Sequence, residues 1–333
     1  MPRTGLPTMV DVAADAGVSL KTVSRVINGE PNVAPELAAR VNESIIRLGY
    51  QRNVLAANLR SGSRDTIGFI AADLSNGFYT QIAAAISSVA LAHGIQVIMA
   101  SHEEDPETER TLALDMSHRR VAGLVVVPTS ADHGYLAGEV ARGTPVVFLD
   151  RPGVGITADQ VLLDNHSGAR AAVTELLAAG HQRIGVLLDS LEIASIRERM
   201  DGVLDAFAAS GRAAPPPIII DDLHTPGQAR EAAHRLLDSD QPPTALFCGN
   251  NRATVGALEA ILPRESGVAL SCFDDFELSR VLPRGIRVVD YDTAELGARA
   301  ASTLLERIRN DPQTPVTTYR VPTRLVTRGS TRA

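Results

Sequence analysis

The chain has 333 residues, two cysteines, no tryptophan and a formal net charge of −7. That length exceeds one comfortable core and points to two or three domains. The cysteine count excludes a disulfide scaffold and fits a reducing compartment, and no apolar run reaches the roughly 18 residues of a membrane helix.

The charge is unevenly spread. Residues 1–60 hold seven Lys/Arg against five Asp/Glu, and residues 61–333 hold 25 against 34. Any contact with phosphate therefore falls to the N-terminal segment. That terminus lacks the charged-then-apolar-then-small pattern of a signal sequence, so a cytoplasmic location is expected.

The first sixty residues read as helices. Thr8 with Asp11 three residues on is a capping box. The helix it starts has Val12, Ala13 and Ala16 on its apolar face, and Gly17 supplies the left-handed stop. Ser19 caps a second helix, with Val18 and Val23 at the spacing of a hydrophobic staple. Val23, Val26 and Ile27 face inward, which leaves Lys21, Thr22, Ser24, Arg25 and Asn28 outside; Gly29 ends it. A third helix has Pro35 in its first turn, an apolar row Leu37, Val41, Ile45 and Leu48, and Gly49 at its close.

Two short helices joined by a tight Ala-Gly-Val turn, with a third over their backs, make an all-α helix-turn-helix head. In a major groove the second helix points Leu20 and Lys21 at base edges. Arg25, one turn later, can grip a guanine with two donors. Ser19, the helix N-terminus and the Thr8 hydroxyl suit phosphates. The helix pattern alone fits a plain three-helix bundle with a solvated face equally well. Lys21 is the single lysine of the chain.

The string "TMVDVAADAGVSLKTVSRVING" resembles the head of the LacI/GalR family of bacterial transcription repressors, whose pattern runs V-x-D-V-A-x-x-A-G-V-S-x-x-T-V-S-R-V-x-N. The next segment, "GYQRNVLAANLRSGSRDTIGFI", resembles that family's hinge. Asn53 and Leu59 match the residues that open and end its short helix, with Ala56 between them. A helix of about seven residues is not stable alone in water. The resemblance implies that it folds when two copies pack in the minor groove, with Leu59 wedged between base steps. Arg52 stands where the family usually has proline and Ala57 where it often has arginine, so fewer groove or phosphate contacts are expected. Without the resemblance the segment reads as a linker.

From residue 66 apolar strands alternate with amphipathic, alanine-rich helices. A first set is "TIGFIAAD", "IQVIMAS", "GLVVVP" and "TPVVFLD"; a second is "QVLLD", "RIGVLLD", "PIIID", "TALFCGN" and "GVALSCFDD". Such alternation predicts two doubly wound parallel-sheet subdomains, completed by a helix near 293–310 and the strand "RLVTRGS". Ligands bind outside the carboxyl ends of such strands. Those ends carry Asp73, Asp150, Asp164, Asp189, Asn250 and Asp274. Taken singly, each serves equally well as a cap for the following helix.

"IGFIAADLSNGFYTQIAAAI", "VVFLDR", "SIRERMDGVLDAF", "LFCGNNRATVGALEAI", "SCFDDFELS" and "LVTRGST" are similar to the same family across nearly the whole body. The resemblance implies a periplasmic-binding-protein-like fold and effector contacts at Phe78, Tyr79, Asp150, Arg199, Asn250, Asp274 and Tyr291. By chemistry, Arg199 can grip hydroxyls or a carboxylate, Asp150 and Asp274 accept, Asn250 does both, and Phe78 and Tyr79 offer an apolar face. Arg199 fits a surface pairing with Glu198 or Asp201 as well, and Phe78 and Tyr79 fit a core. Asn251 replaces the family's usual aspartate, Cys272 replaces a glycine, and "DDLHTPG" lacks the usual aromatic. A sugar is the first expectation for the effector, against a nucleobase, a polyol or a phosphorylated metabolite.

The expected organisation is a head at 1–52, a hinge at 53–63 and a body at 64–333. The body divides into an N-subdomain, about 64–162 and 292–320, and a C-subdomain, about 163–291 and 321–331. The expected function is a transcription repressor, not an enzyme, acting as a homodimer on a pseudo-palindromic operator and switched by a small polar effector. Neither cofactor, metal nor membrane partner is expected. The close at "RGSTRA", without heptads, predicts no coiled-coil tetramer. An α/β enzyme sharing the body is the first alternative, but G-x-x-x-x-G-K-[ST], H-E-x-x-H, C-x-x-C and G-x-S-x-G are all absent. An exported solute-binding protein is the second, and it would lack the head.

Overall fold

The computed structural model describes residues 7–27, 29–31, 33–50, 65–129, 132–211, 215–264, 267–309 and 314–330. The chain divides into two compact units, Met1–Arg64 and Asp65–Ala333. The expected hinge, with Asn53, Ala56 and Leu59, lies outside the described residues, as does Asn28.

The first unit holds α1 (Met9–Ala16), α2 (Leu20–Ile27) and α3 (Pro35–Leu48). The capping box forms: the Thr8 N–H donates to Asp11 Oδ2 at 2.8 Å, and the Asp11 N–H to Thr8 Oγ1 at 3.4 Å. Gly17 takes φ 62°, which lets the Val18 N–H reach back to the Ala13 carbonyl at 3.0 Å. Val12, Ala13, Ala16, Val23 and Val41 are the core. The row expected on α3 is half-buried at Leu37, Ile45 and Leu48. Ser44 adds a buried hydroxyl that donates to Asp15 Oδ2 at 2.5 Å. Arg40 donates to the Ala16 carbonyl at 2.5 Å, and Arg47 Nε to Asp15 at 3.1 Å. Three polar side chains of α3 thus fasten α1, and the Arg47 and Ser44 hydrogen bonds hold the Asp15 carboxyl below its ordinary range.

The second unit holds two lobes. The N-lobe starts with β1 (Thr66–Ala71), α4 (Gly77–Ala92), β2 (Gln96–Ser101), α5 (Pro106–His118), β3 (Leu124–Val126), α6 (Ala137–Ala141), β4 (Val146–Asp150) and β5 (Asp159–Leu163). The C-lobe takes α7 (Asn165–Ala178), β6 (Ile184–Leu187), α8 (Ala194–Ala209), β7 (Ile218–Ile220), α9 (Pro226–Leu237), β8 (Ala245–Cys248), α10 (Asn251–Ile261), β9 (Ala269–Phe273) and β10 (Ile286–Asp290). Then α11 (Thr293–Arg309) and β11 (Thr318–Val321) return to the N-lobe, and β12 (Arg324–Arg328) ends in the C-lobe. Strand orders are β11-β5-β4-β3-β1-β2 and β12-β10-β9-β8-β6-β7. All pairings are parallel except β10 with β12, an antiparallel edge.

The segment "QVLLD", expected to open the second set, is β5 of the first sheet. It pairs with β4 in register Val147↔Asp159 to Asp150↔Leu162. Parallel neighbours usually need a helical crossover. Here residues 151–158 make the step without one, helped by an Asp132↔Val154 bridge, so strand–helix alternation misplaces it. The chain crosses between lobes three times, next to Asp164, at Tyr291–Asp292 and at Pro322–Thr323. Gly202 lets α8 close on α7: a Cβ there would meet the His166 carbonyl oxygen at 2.2 Å.

Behind the N-lobe sheet, Glu109 is 1% exposed. It accepts from the Thr129 N–H at 2.6 Å and the Tyr135 hydroxyl at 2.7 Å, with His133 Nε2 at 3.1 Å. Burial disfavours its ionised form, but the hydrogen bonds from His133, Tyr135 and Thr129 outweigh burial and hold the carboxyl at about 2. A carboxyl lowered on folding stabilises at pH above its unfolded range, and that contribution is lost as pH falls through the folded value. Glu109→Gln is expected to cost about 1–3 kcal/mol at pH 7 and to flatten the acid limb of the melting-temperature profile between pH 4.5 and about 2. An acid limb parallel to wild type counts against this role.

Candidate functional sites: a groove-reading helix and an interlobe cleft

In the head, Ser19 is spent on its own helix. Its hydroxyl oxygen accepts from the Thr22 N–H at 3.1 Å and lies 2.9 Å from Thr22 Oγ1. Thr8 Oγ1 donates to Asp11 at 2.6 Å. The outer face of α2 presents Leu20, 48% exposed, and Lys21, with Thr22, Ser24 and Arg25 partly exposed. Arg25 Nε lies 3.3 Å from Glu30 Oε2, both side chains being largely in solvent. An exposed pair of this kind is worth at most about 1 kcal/mol, so Arg25 can change partner cheaply.

In the body, the carboxyl ends of the two sheets enclose a cleft of about 70 Å³. Six of the seven side chains expected at an effector line it, namely Phe78, Tyr79, Asp150, Arg199, Asn250 and Asp274. Tyr291 does not. It lies behind Asp274 and donates its hydroxyl to Asp274 Oδ1 at 2.6 Å, while facing a second depression with Phe78. Tyr79 is likewise more than an apolar face. It is 6% exposed, and its hydroxyl donates to Asp150 Oδ2 at 3.1 Å. Asp150 and Asp274 therefore each have their own tyrosine.

The two aspartates are matched in backbone as well. Asp150 ends β4 at φ 68°, and Asp274 follows β9 at φ 70°. Non-glycine residues are rare in this region and cluster at functional sites. Burial pushes the Asp150 carboxyl above the ordinary range, against the pull of Arg151 and Arg199.

Arg199, expected either in the cleft or on the surface, is 4% exposed. Its Nε donates to Asn165 Oδ1 at 2.9 Å and its Nη1 to the Gly249 carbonyl at 2.6 Å and to Asp274 Oδ2 at 3.4 Å. The guanidinium stacks 3.8 Å from the Phe273 ring centroid. Glu198 pairs with Arg320 instead. Asn250 is both a cap, accepting from the Ala253 N–H at 2.8 Å, and a donor to Asp189 at 3.3 Å.

Sequence reasoning missed three contributors. Arg151 is 7% exposed and forks onto both oxygens of Glu104 at 2.7 Å. Arg252, at the start of α10, bonds Asp73 across the lobes and Ser75 Oγ at 3.3 Å. Asn251 Nδ2 donates across the same gap to Asn76 Oδ1 at 2.8 Å. Asn251, a departure from the resembled pattern, thus belongs to an uncharged latch. Asp275, next to Asp274, is turned to Ser279 at 2.5 Å and Arg328 at 2.8 Å. Cys248 and Cys272 face each other on β8 and β9. Burial raises both thiols, Cys272 to about 12, which suits inert core thiols, not nucleophiles. No group of His, Cys, Asp or Glu among the described residues is placed to hold a metal.

A family model described as "Periplasmic binding proteins and sugar binding domain of LacI family" matches residues 64–328. Another, "Bacterial regulatory proteins, lacI family", matches residues 8–53. The chain is 29% identical to catabolite control protein A of Priestia megaterium, over 98% of this chain and 99% of that protein. It is 31% identical to the transcriptional regulator GalS of Salmonella typhimurium, over 90% and 89%. Among solved structures it is similar to the Lac repressor dimer bound to operator and the anti-inducer ONPF, with TM-score 0.83 and 25% identity over 99% of this chain and 100% of that one.

The interlobe latch is testable directly. Arg252→Ala removes a partly buried interlobe ion pair, worth about 1 kcal/mol. Amide hydrogen exchange at Phe78 and Ala253, both capped at the cleft, should quicken about fivefold. Unchanged exchange at both sites would show that Arg252 does not hold the lobes together.

Proposed function

Because this chain belongs to the LacI family of bacterial regulatory proteins, we propose that it is a homodimeric repressor whose hold on a pseudo-palindromic operator is switched by a small polar effector bound between its lobes. It is a DNA-binding transcription regulator and not an enzyme. The observation that carries the effector reading is the cleft, where Asp150, Arg199 and Asp274 are nine-tenths buried yet line an interlobe space. Buried charges are costly, and a ligand that enters and leaves is a reason to keep them there.

We assign base reading to Leu20, Lys21 and Arg25, and phosphate or groove-wall contact to Thr8, Ser19, Thr22, Ser24 and Asn28. Asn53, Ala56 and Leu59 form the minor-groove hinge in this reading. Thr8 and Ser19 are engaged in caps, so their helix-end N–H groups are the better phosphate donors. In the cleft, Arg199, Asn250, Asp150 and Asp274 take the ligand's polar groups and Phe78 its apolar face. Tyr79 and Tyr291 act by positioning the two aspartates. A sugar is the first choice of effector, since the matching family model describes a sugar-binding domain.

Leu91, Ile98 and Met99 of the N-lobe and Leu278 and Val281 of the C-lobe are large apolar side chains left in solvent. They supply the kind of surface a second copy covers. No helix among the described residues is long and apolar enough to cross a membrane; operator binding supports reading the chain as cytoplasmic.

Two measurements test the assignment. Arg25→Ala should cost about 1–3 kcal/mol on the cognate operator and relax preference at one base pair; equal losses on operator and random DNA would remove Arg25 from base reading. In a thermal-shift screen of sugars, Arg199→Ala should erase the shift that a stabilising sugar gives the wild type, while operator binding without sugar is retained. An unchanged dose–response would take Arg199 out of the effector site.

A further inference from the structure

We propose that Asn165 is a positioning residue that makes a lobe-to-lobe ion pair, Glu198 with Arg320, depend on how Arg199 is held in the cleft, an inference that rests on the effector reading only for what moves Arg199. Asn165 is 1% exposed and opens α7, directly after the crossing at Asp164. Its side chain is not needed as a cap, because Asp164 fills that place by accepting from the Ser167 N–H at 3.3 Å. Instead Asn165 Oδ1 accepts from Arg199 Nε at 2.9 Å, and Asn165 Nδ2 donates to Glu198 Oε2 at 3.2 Å. The partners dictate that orientation, since a guanidinium only donates and an ionised carboxylate only accepts.

Glu198 and Arg199 are consecutive on α8, yet they serve different lobes. Arg199 binds the Gly249 carbonyl and Asp274 at the C-lobe edge. Glu198 takes Arg320, on β11 of the N-lobe sheet, at 3.0 and 3.2 Å. Arg320 Nη1 also donates to the Leu163 carbonyl at 3.1 Å. The first crossing is therefore gripped by Arg320 at its N-lobe end, while Asn165 stands at its C-lobe end. The Thr323 hydroxyl, on the third crossing, donates to the Asp164 carbonyl at 3.4 Å. Two of the three crossings are thus fastened to each other where these contacts meet.

Charges alternate along the row Asp274, Arg199, Glu198, Arg320, and Asn165 is its neutral member. Its amide is planar, with the acceptor and the donor on one carbon. An amide that turns to follow Arg199 carries its Nδ2 away from Glu198, and the carboxylate is then free to shift on Arg320. A ligand that draws Arg199 off Asp274 in this way also changes a contact between the lobes, at the strands that join them.

The test is a double-mutant cycle on the full-length protein without ligand, read by melting temperature. Asp274→Asn loosens Arg199 at the cleft and suits the left-handed backbone there. Arg320→Gln removes the N-lobe end of the ion pair. The two residues share no hydrogen-bond partner, so independent effects add. With Asn165 in place, the combined fall is expected to be smaller than the sum of the single falls by about 2 °C. With Asn165→Asp, which keeps an acceptor for Arg199 but has no donor for Glu198, the falls should add. Asn165→Leu, close in size and lacking both groups, repeats the comparison if Asn165→Asp does not fold. Additive falls with Asn165 in place overturn the proposal. A shortfall that persists in the Asn165 variant overturns it as well, because the backbone of α8 then couples Glu198 to Arg199. The cycle uses no ligand, so its outcome holds whether or not the cleft proves to be the effector site.

Discussion

A guanidinium taken out of water costs several kcal/mol unless its donors are met. Arg199 is met by Asn165 at the start of α7, by the carbonyl of Gly249 after β8, and by Asp274 after β9, and it lies on the ring of Phe273 at the end of β9. Every partner stands at the carboxyl edge of the C-lobe sheet. The edge is therefore pinned by one buried cation. Asp274 is in turn held by Tyr291, which lies in a segment where the chain passes between lobes. Whatever displaces Asp274 pulls on a residue of that crossing, so cleft and crossing share a hydrogen bond instead of communicating over a distance.

The N-lobe repeats the scheme with different side chains. Asp150 sits at the matching strand end with nearly the same left-handed backbone, and Tyr79 plays the part of Tyr291. Its neighbouring cation, Arg151, forks onto Glu104 while its Nε lies 3.7 Å from Asp150 Oδ2. One lobe thus offers an aspartate bound to a cation at 3.4 Å, the other an aspartate with a spare oxygen.

Much of this was legible in the sequence because it is local. Thr8 with Asp11, Ser19 with Thr22, and Gly17 are caps that act within one turn, and they fold as their spacing dictates. Five of the six strand-end polar residues meet at the cleft, since parallel strands place their ends on one side, whereas Asp164 caps α7. What was not legible is long-range. Arg252 with Asp73 and Asn251 with Asn76 are pairs more than 170 residues apart, and no period or motif links them. Tyr79 and Tyr291 could be placed near the site but not given a job, because the choice between ring and hydroxyl depends on which aspartate lies within reach. The placing of β5 failed for another reason. Its preceding loop makes a parallel step without a helix, and alternation of strand and helix carries no trace of that.

The three crossings bear on how the protein is made as well as on how it moves. The N-lobe sheet receives β11 and the C-lobe sheet receives β12, both after residue 317. Neither sheet has its last edge strand until residues beyond 317 have been synthesised. The three helices of the head, by contrast, are all present once residue 48 has emerged. A growing chain therefore carries them long before it carries both closing strands of the body. Placing both closing strands last means that the two lobes mature together, and a chain cut short anywhere in the body lacks at least one of them.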